Sequence, residues 1–512
     1  MASRPHAIGP AAGFLSLGLV TLVLGSAAAL AWRGGGVGLG PADGAAVRFT
    51  LLQAALSASI ASGLAIPVAR ALARRRFAGR GLLITLMGAP FLLPVVVAVL
   101  GLLAVFGRGG GINQALLALG LPPINIFGLH GVVLAHVFLN LPFAVRMLLA
   151  GWAAIPAERF RLAATLGMGP GAQFRHLEGP MLRAVLPGAA LVIFLLCLTS
   201  FAVALTLGGG PAATTVELAI YQAVRFDFDL GRAAALAGVQ FALCAGAVLL
   251  ASGFAAPIGF GAGLDRAVPI AAPGGWRRGA DAGWIALAAL FLLAPLGAVV
   301  MRGLPGLADL PASVWAAAAR SVIVAILSAV AAVSGALVLA LAVARGSRGI
   351  ELAAMLPMTA SGLVLGTGLF LIVHPLIRPE ALALPVTVLV NAALSLPFVF
   401  RLILPQARAV QADYGRLQAA LGLQGWAALR RVTLPRLRQP LGFGAGVAAA
   451  LSMGDLGVIA LFAGDNMTLP LLIQRQMGAY QMTTAAAAAL VLIALSFGLF
   501  WLCDRWGRHA AA

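Results

Sequence analysis

Apolar stretches long enough to cross a bilayer recur along the whole chain, separated by short polar connectors. A spanning helix needs about 20 mostly apolar residues. Twelve stretches meet that measure: 12–32, 50–72, 81–106, 129–151, 184–207 and 232–258, then 284–302, 317–344, 350–374, 381–404, 440–463 and 484–503. Between the sixth and seventh lies 259–283, rich in Gly, Pro and Arg, including Arg266, Pro269, Pro273, Gly275, Arg277 and Arg278. It reads as a cytoplasmic linker between a first half, 1–258, and a second half, 284–512. The pattern predicts an all-α integral membrane protein of two six-helix halves.

The halves resemble each other at a constant offset of 255 positions. Leu139-Asn140-Leu141-Pro142-Phe143 returns as Leu394-Ser395-Leu396-Pro397-Phe398, and each is followed by an arginine, Arg146 and Arg401. Arg161-Leu162-Ala163-Ala164-Thr165-Leu166-Gly167 returns as Arg416-Leu417-Gln418-Ala419-Ala420-Leu421-Gly422. Nine residues after each glycine come Leu177-Glu178-Gly179-Pro180 and Val432-Thr433-Leu434-Pro435. A repeat near half the chain length marks two homologous halves fused. The repeated feature is a polar loop, and loops diverge unless something binds them.

Composition sharpens the class. Of 512 residues, 62% are hydrophobic and only 10% charged, too little polar surface to cover a soluble protein of this size. The net charge of +19 is dispersed among connectors rather than gathered on one face, which argues against nucleic-acid binding and for the bias toward positive cytoplasmic loops. Every basic residue except histidine is arginine. A phosphate-binding P-loop needs a lysine, so the chain has none and is not itself an ATPase. Cys197, Cys244 and Cys503 lie in apolar runs and read as packing residues. The six histidines form no ligand-spaced cluster, so no metal site is expected.

Arginine placement sets the topology. Arg70, Arg74, Arg75, Arg76 and Arg80 fall between spans two and three, and Arg408, Arg416, Arg430, Arg431, Arg436 and Arg438 between spans ten and eleven. Placing both groups, with Arg505 and Arg508, inside puts both termini and both repeated loops in the cytoplasm. The first span has the look of a cleaved leader, with Arg4 ahead of it and Ala27-Ala28-Ala29 near its end. The even number of crossings that the arginines require favours its retention.

The loops 155–183 and 409–438 are expected to form paired short helices below the membrane. Pro156 and Glu158 suit a helix start, Gly167 a helix stop, and a second short helix is expected over 172–177, ending before Pro180. Leu162, Leu166, Phe174 and Leu177, and in the second copy Leu417, Leu421, Trp426, Leu429 and Val432, would present apolar knobs with a basic rim, a docking surface for a soluble protein. Lying flat on lipid headgroups is the competing reading of either copy alone.

This spacing resembles the cytoplasmic signature of ATP-binding-cassette importer permeases, which runs Glu-Ala-Ala, three residues, Gly, nine residues, Ile-any-Leu-Pro. Here Arg161-Leu162-Ala163 and Arg416-Leu417-Gln418 replace the acidic opening, while Gly167, Gly422, Pro180, Leu434 and Pro435 match. The resemblance implies a type I importer permease fold of the fused kind, with coupling helices that dock on an ATPase. It implies partners too: two copies of the ATPase, which bind the ATP and Mg, and a periplasmic binding protein that delivers a small solute. This chain itself would bind no cofactor and sit in a bacterial inner membrane. A narrower resemblance, in 207–223 and 452–462, is to the permeases of thiamine and thiamine pyrophosphate importers; ferric-iron importer permeases share the layout.

A carboxylate inside a span is costly and usually faces a cavity. Asp455 is the outstanding one, in mid-span eleven, with Ser200 at the matching position of the first half. Asp455 could face the solute path and attract a cation, or cap helix backbone; both readings stay open. After span five, Gly208-Gly209-Gly210-Pro211 turns the chain into an extracytoplasmic segment in which Glu217 and Tyr221, with Gln222, Arg225, Asp227 and Asp229, are expected to face outward. Asp465, Thr468, Gln474 and Arg475 occupy the equivalent ground in the second half. An ion-coupled transporter would need several intramembrane carboxylates, and only Asp455 qualifies. No nucleophile or paired-carboxylate motif supports an enzyme.

Overall fold

The computed structural model describes residues 8–88, 93–252, 275–423, 425–462 and 464–508. Arg4 and most of the expected linker, including Arg266, Pro269 and Pro273, lie outside the described residues. Every regular element among those described is helical. Among the described residues, eleven helices are long and apolar enough to cross a membrane, and a twelfth span arises if Gly349–Thr359 and Gly362–Val373, bent by 92°, count as one. Ser361 sits at that bend, and its hydroxyl accepts from the Val364 N–H at 3.1 Å, capping the second segment.

Several boundaries differ from the hydropathy reading for local reasons. The seventh span begins at Trp276, so Arg277, Arg278 and Asp281 are helical rather than linker. Spans five and eleven are each broken near the far end. Helix Gly179–Leu198 is followed by Ala202–Leu207, and Leu434–Met453 by Gly457–Phe462. The expected extracytoplasmic helix is Val216–Arg225, and the second half supplies Leu469–Gly478 of the same length.

The compact units of the fold do not coincide with the sequence halves. One unit comprises 44–215 and 246–304. In it the second half's first helix, Trp276–Gly303, packs on Val95–Phe106 so closely that a Cβ on Gly101 would lie 2.7 Å from the Pro295 carbonyl oxygen. Glycine lets two backbones approach in this way. The other unit comprises 1–43, 216–245 and 305–512. There the first half's first helix, Ile8–Gly34, packs against Ala312–Ala344 and Gly362–Val373, and Gly368 meets the Ser26 backbone with the same economy. Each unit thus holds the first span of the opposite half. The core of this unit is a slab of Ala336, Leu339, Leu396, Val399, Phe400, Ile403 and Leu437.

Candidate functional site

The repeated loops share one backbone design. In the first copy Pro156 takes an extended conformation (φ −57°, ψ 134°) and starts the helix Ala157–Thr165. Gly167, at φ +63°, ends it: the Gly167 N–H donates to the Ala164 carbonyl and the Met168 N–H to that of Ala163. This pair of bonds is a Schellman stop, which needs a left-handed residue. In the second copy Gly422 also sits at φ +63°, with its N–H on the Ala419 carbonyl and the Leu423 N–H on that of Gln418.

After the stop the chain rises into the next span through a π-turn, Phe174–Glu178 in one copy and Leu429–Thr433 in the other. Pro180 and Pro435 lie in the first turn of the helices that follow. A proline lacks the N–H of a regular ladder and crowds the carbonyl four residues back, which widens the turn before it. The constant Gly-to-Pro spacing therefore encodes a stop, a turn and a widened entry into the membrane. It also corrects the expected second helix: 172–177 does not end before Pro180 but runs on into Gly179–Leu198.

The copies differ where they begin. The second has no separate helix, because Ala383–Ala420 is continuous through Arg416 and Leu417. Gln411 stands where the first copy has Pro156, so nothing interrupts the ladder.

Leu162 and Leu166 are 60% and 68% exposed, and Leu417 and Leu421 are 52% and 62% exposed. Each pair is spaced i, i+4 and forms a two-leucine ridge. Trp426 adds a third apolar knob, and Phe174 is barely exposed enough to do so. Arg161 and Arg416 lie beside the ridges in solvent; Arg161 pairs with Glu158 at 3.2 Å. Leu177, Val432 and Leu434 are half-buried, while Pro180 and Pro435 are exposed. Ala163 is buried with Phe160 on the inner face and presents nothing outward.

Sequence reasoning missed the anchor of the first loop. Glu178 is buried and pairs with Arg70 at 2.6 Å, and the Arg70 guanidinium lies over the Phe174 ring at 5.0 Å. A glutamate at the entry of a membrane helix, set against the arginine cluster that begins at Arg70, was the available signal. The second copy has Thr433 in its place and ties its loop instead by Arg436 over the Tyr414 ring at 3.9 Å.

Within each unit a small polar cluster crosses the packed spans. In one, the Gln53 amide donates to the Cys197 carbonyl at 2.9 Å, Asn140 donates to Cys197 Sγ at 3.5 Å, and Ser57 lies 3.5 Å from His136 Nδ1. In the other, Asn391 donates to Ser452 Oγ at 3.1 Å, which donates to Ser328 Oγ at 3.2 Å. His136 and Asn391, and Cys197 and Ser452, are related by the same offset as the loops.

Asp455 stands at the break three residues beyond Ser452, half-buried rather than in mid-helix. Its carboxylate lies beside the backbone N–H groups of Gly457, Val458 and Ile459 and the Asn391 side chain, and its Oδ2 is buried with no hydrogen-bond partner. It therefore caps Gly457–Phe462, and the helix N-terminus stabilises its charge. Ser200 occupies the matching break in its own unit, also half-buried. Glu217 does not face outward. It is fully buried, beside the Ser361 and Gln240 side chains, and makes no ion pair among the described residues. The amphipathic Val216–Arg225 helix turns that side onto Gly362–Val373. Tyr221 is half-buried, its ring edge-on to Phe226 at 5.8 Å. Gln222, Asp227 and Asp229 are exposed and Arg225 half-exposed.

No family model matches the chain. It is 40% identical over 523 aligned residues to the thiamine transport system permease protein of Brucella abortus, covering 97% of this chain and 95% of that one. It is 39% identical over 485 residues to the protein of the same name from Escherichia coli, covering 90% and 88%. The molybdenum transport system permease protein of Azotobacter vinelandii is 34% identical over 178 residues, covering 35% of this chain and 78% of that one.

Proposed function

The chain belongs to the family of thiamine transport system permeases, and from that premise we propose that it is the translocation subunit of an ATP-driven thiamine importer. It is a multi-pass protein of the inner membrane, and its family implies an ATPase and a solute-binding protein as partners. The observation that carries the reading is identity running nearly end to end with relatives named for thiamine transport.

In this account both termini and both loops face the cytoplasm. One ATPase copy grips each leucine ridge, Leu162 with Leu166 and Leu417 with Leu421. The exposed Arg161 and Arg416 border those contacts, and Gly167 and Gly422 hold the ridges in place. Closure of the ATPase pair on ATP and Mg draws the loops together, and the pathway alternates between its two open states. A periplasmic binding protein presents the solute from the other side.

Thiamine carries a permanent positive charge. Asp455 stands at a broken helix with one carboxylate oxygen buried and without a hydrogen-bond partner, a negative charge placed to attract such a cation. Ser200 and Tyr221 supply neutral polar contacts, and Glu217 lies buried on the helix that carries Tyr221. Thiamine and thiamine pyrophosphate are both within this reading.

Complementation tests it. In a bacterium lacking its own thiamine permease, the chain expressed with its cognate ATPase and binding protein should restore uptake of labelled thiamine. Restoration of uptake of a different solute, with none for thiamine or its phosphates, would overturn the substrate assignment.

A further inference from the structure

A cavity of about 420 Å³ opens inside the unit formed by 44–215 and 246–304, at the arginine-rich ends of its helices. Arg70 and Arg74 line it from the end of Pro41–Arg74, Phe174 from the first loop, and Trp276, Arg277 and Trp284 from the start of Trp276–Gly303. Charge in and around it does not balance. Arg70 is committed to Glu178 at 2.6 Å, and Arg74 and Arg75 both reach Asp281, at 3.1 and 2.7 Å. Arg277 makes no ion pair among the described residues and lies over the Trp276 ring at 5.7 Å. Among the described residues, four guanidinium groups thus stand against two carboxylates, and aromatic rings form much of the remaining wall.

We propose that this cavity binds a phosphate ester of net negative charge carrying an apolar or aromatic body. The chemistry of the wall selects the two parts separately. Guanidinium groups hydrogen-bond phosphate oxygens in a planar fork, and a bound phosphate of charge −1 to about −2 neutralises the excess. Two tryptophans and a phenylalanine cover the attached apolar group, and tryptophan favours the level of the lipid headgroups. Basic pockets between membrane helices on the cytoplasmic side suit anionic headgroups, and a soluble aryl phosphate presents the same two parts. The second loop does not repeat its residues. At the offset of the repeat, Phe174 becomes Leu429 and Glu178 becomes Thr433. Because Phe174 and Glu178 belong to the first loop and its anchor, an occupant braces that loop alone.

The test uses the full-length chain in bilayer nanodiscs with three photoactivatable probes: phosphatidylglycerol, phosphatidylcholine and a soluble aryl phosphate. Crosslinked peptides covering 67–74 and 276–284 are quantified by mass spectrometry. Preferential labelling by phosphatidylglycerol assigns a lipid headgroup, and labelling by the aryl phosphate assigns a soluble ester; either supports the site. The Arg277→Gln variant removes the arginine with no ion-pair partner and should lower that labelling about fivefold, the effect of one basic residue on an anionic headgroup. Its elution as a monodisperse species in detergent confirms the fold. Equal labelling by the neutral lipid with none by the aryl phosphate, or labelling unchanged in Arg277→Gln, would overturn the proposal.

Discussion

Replacing Leu162 and Leu166 together with alanine should release the ATPase from the first loop while leaving the permease folded. Fully burying a leucine side chain contributes about 1.5–3 kcal/mol. Only the exposed part of each side chain is available to a partner, 60% for Leu162 and 68% for Leu166. Scaling gives about 1–2 kcal/mol each, or about 2–4 kcal/mol for the pair, a loss of about 30-fold to nearly 1,000-fold in affinity for that loop. Stability should hardly move, because exposed substitutions away from special features cost about 0.5 kcal/mol or less. Phe160→Ala supplies the opposite control. Its ring is 3% exposed on the inner face of the same helix, so truncation should lower stability by about 3–5 kcal/mol through loss of packing. The assay pairs titration of ATPase against the nanodisc-embedded permease with a thermal unfolding curve in detergent. Wild-type ATPase affinity in the folded double variant would refute the docking role of the ridge.

Other substitutions probe separate parts of the design. Gly422→Ala meets no neighbouring atom within 4 Å but is forced to φ +63°, so it should cost about 1 kcal/mol of local stability and only partly weaken transport; Gly422→Pro cannot adopt that φ and should abolish uptake while membrane insertion persists. Glu178→Gln leaves Arg70 without its partner and should lower unfolding stability by about 3 kcal/mol, with recovery in the double variant Arg70→Gln/Glu178→Gln. Asp455→Ala should destabilise by about 1 kcal/mol through loss of the helix cap. Asp455→Asn keeps capping oxygen without the charge, so unfolding temperature should recover while labelled thiamine uptake stays reduced. Full uptake by Asp455→Asn would confine the residue to its structural task.

Hydropathy revealed the spans because a helix that pairs its backbone polar groups internally crosses lipid only with about 20 mostly apolar side chains in a row. It revealed the loops because Gly167, Gly422, Pro180 and Pro435 act through local backbone geometry that a short motif specifies completely. The second copy departs from the expected pair of short helices, because Ala383–Ala420 runs unbroken to the stop at Gly422, with Gln411 standing where the first copy has Pro156. Burial of Glu217 was not legible. The Val216–Arg225 helix follows a glycine turn and carries polar residues on both faces, and only its packing on Gly362–Val373 decides which face is inside. Exchange of the first spans between units was equally hidden. The middles of Ile8–Gly34 and Trp276–Gly303 are apolar and name no neighbour, and the choice rests on close glycine contacts at Gly368 and Gly101 and on the pairing of Asp281 with Arg74 and Arg75.

On this reading the chain is a passive pathway worked by a separate motor. Uptake of labelled thiamine into proteoliposomes containing the purified chain measures it directly, with and without the ATPase, ATP and binding protein, and with proton or sodium gradients imposed. The account predicts accumulation only when ATPase, ATP and binding protein are all present, and none from ion gradients alone. Accumulation by the chain on its own in response to an ion gradient would contradict it.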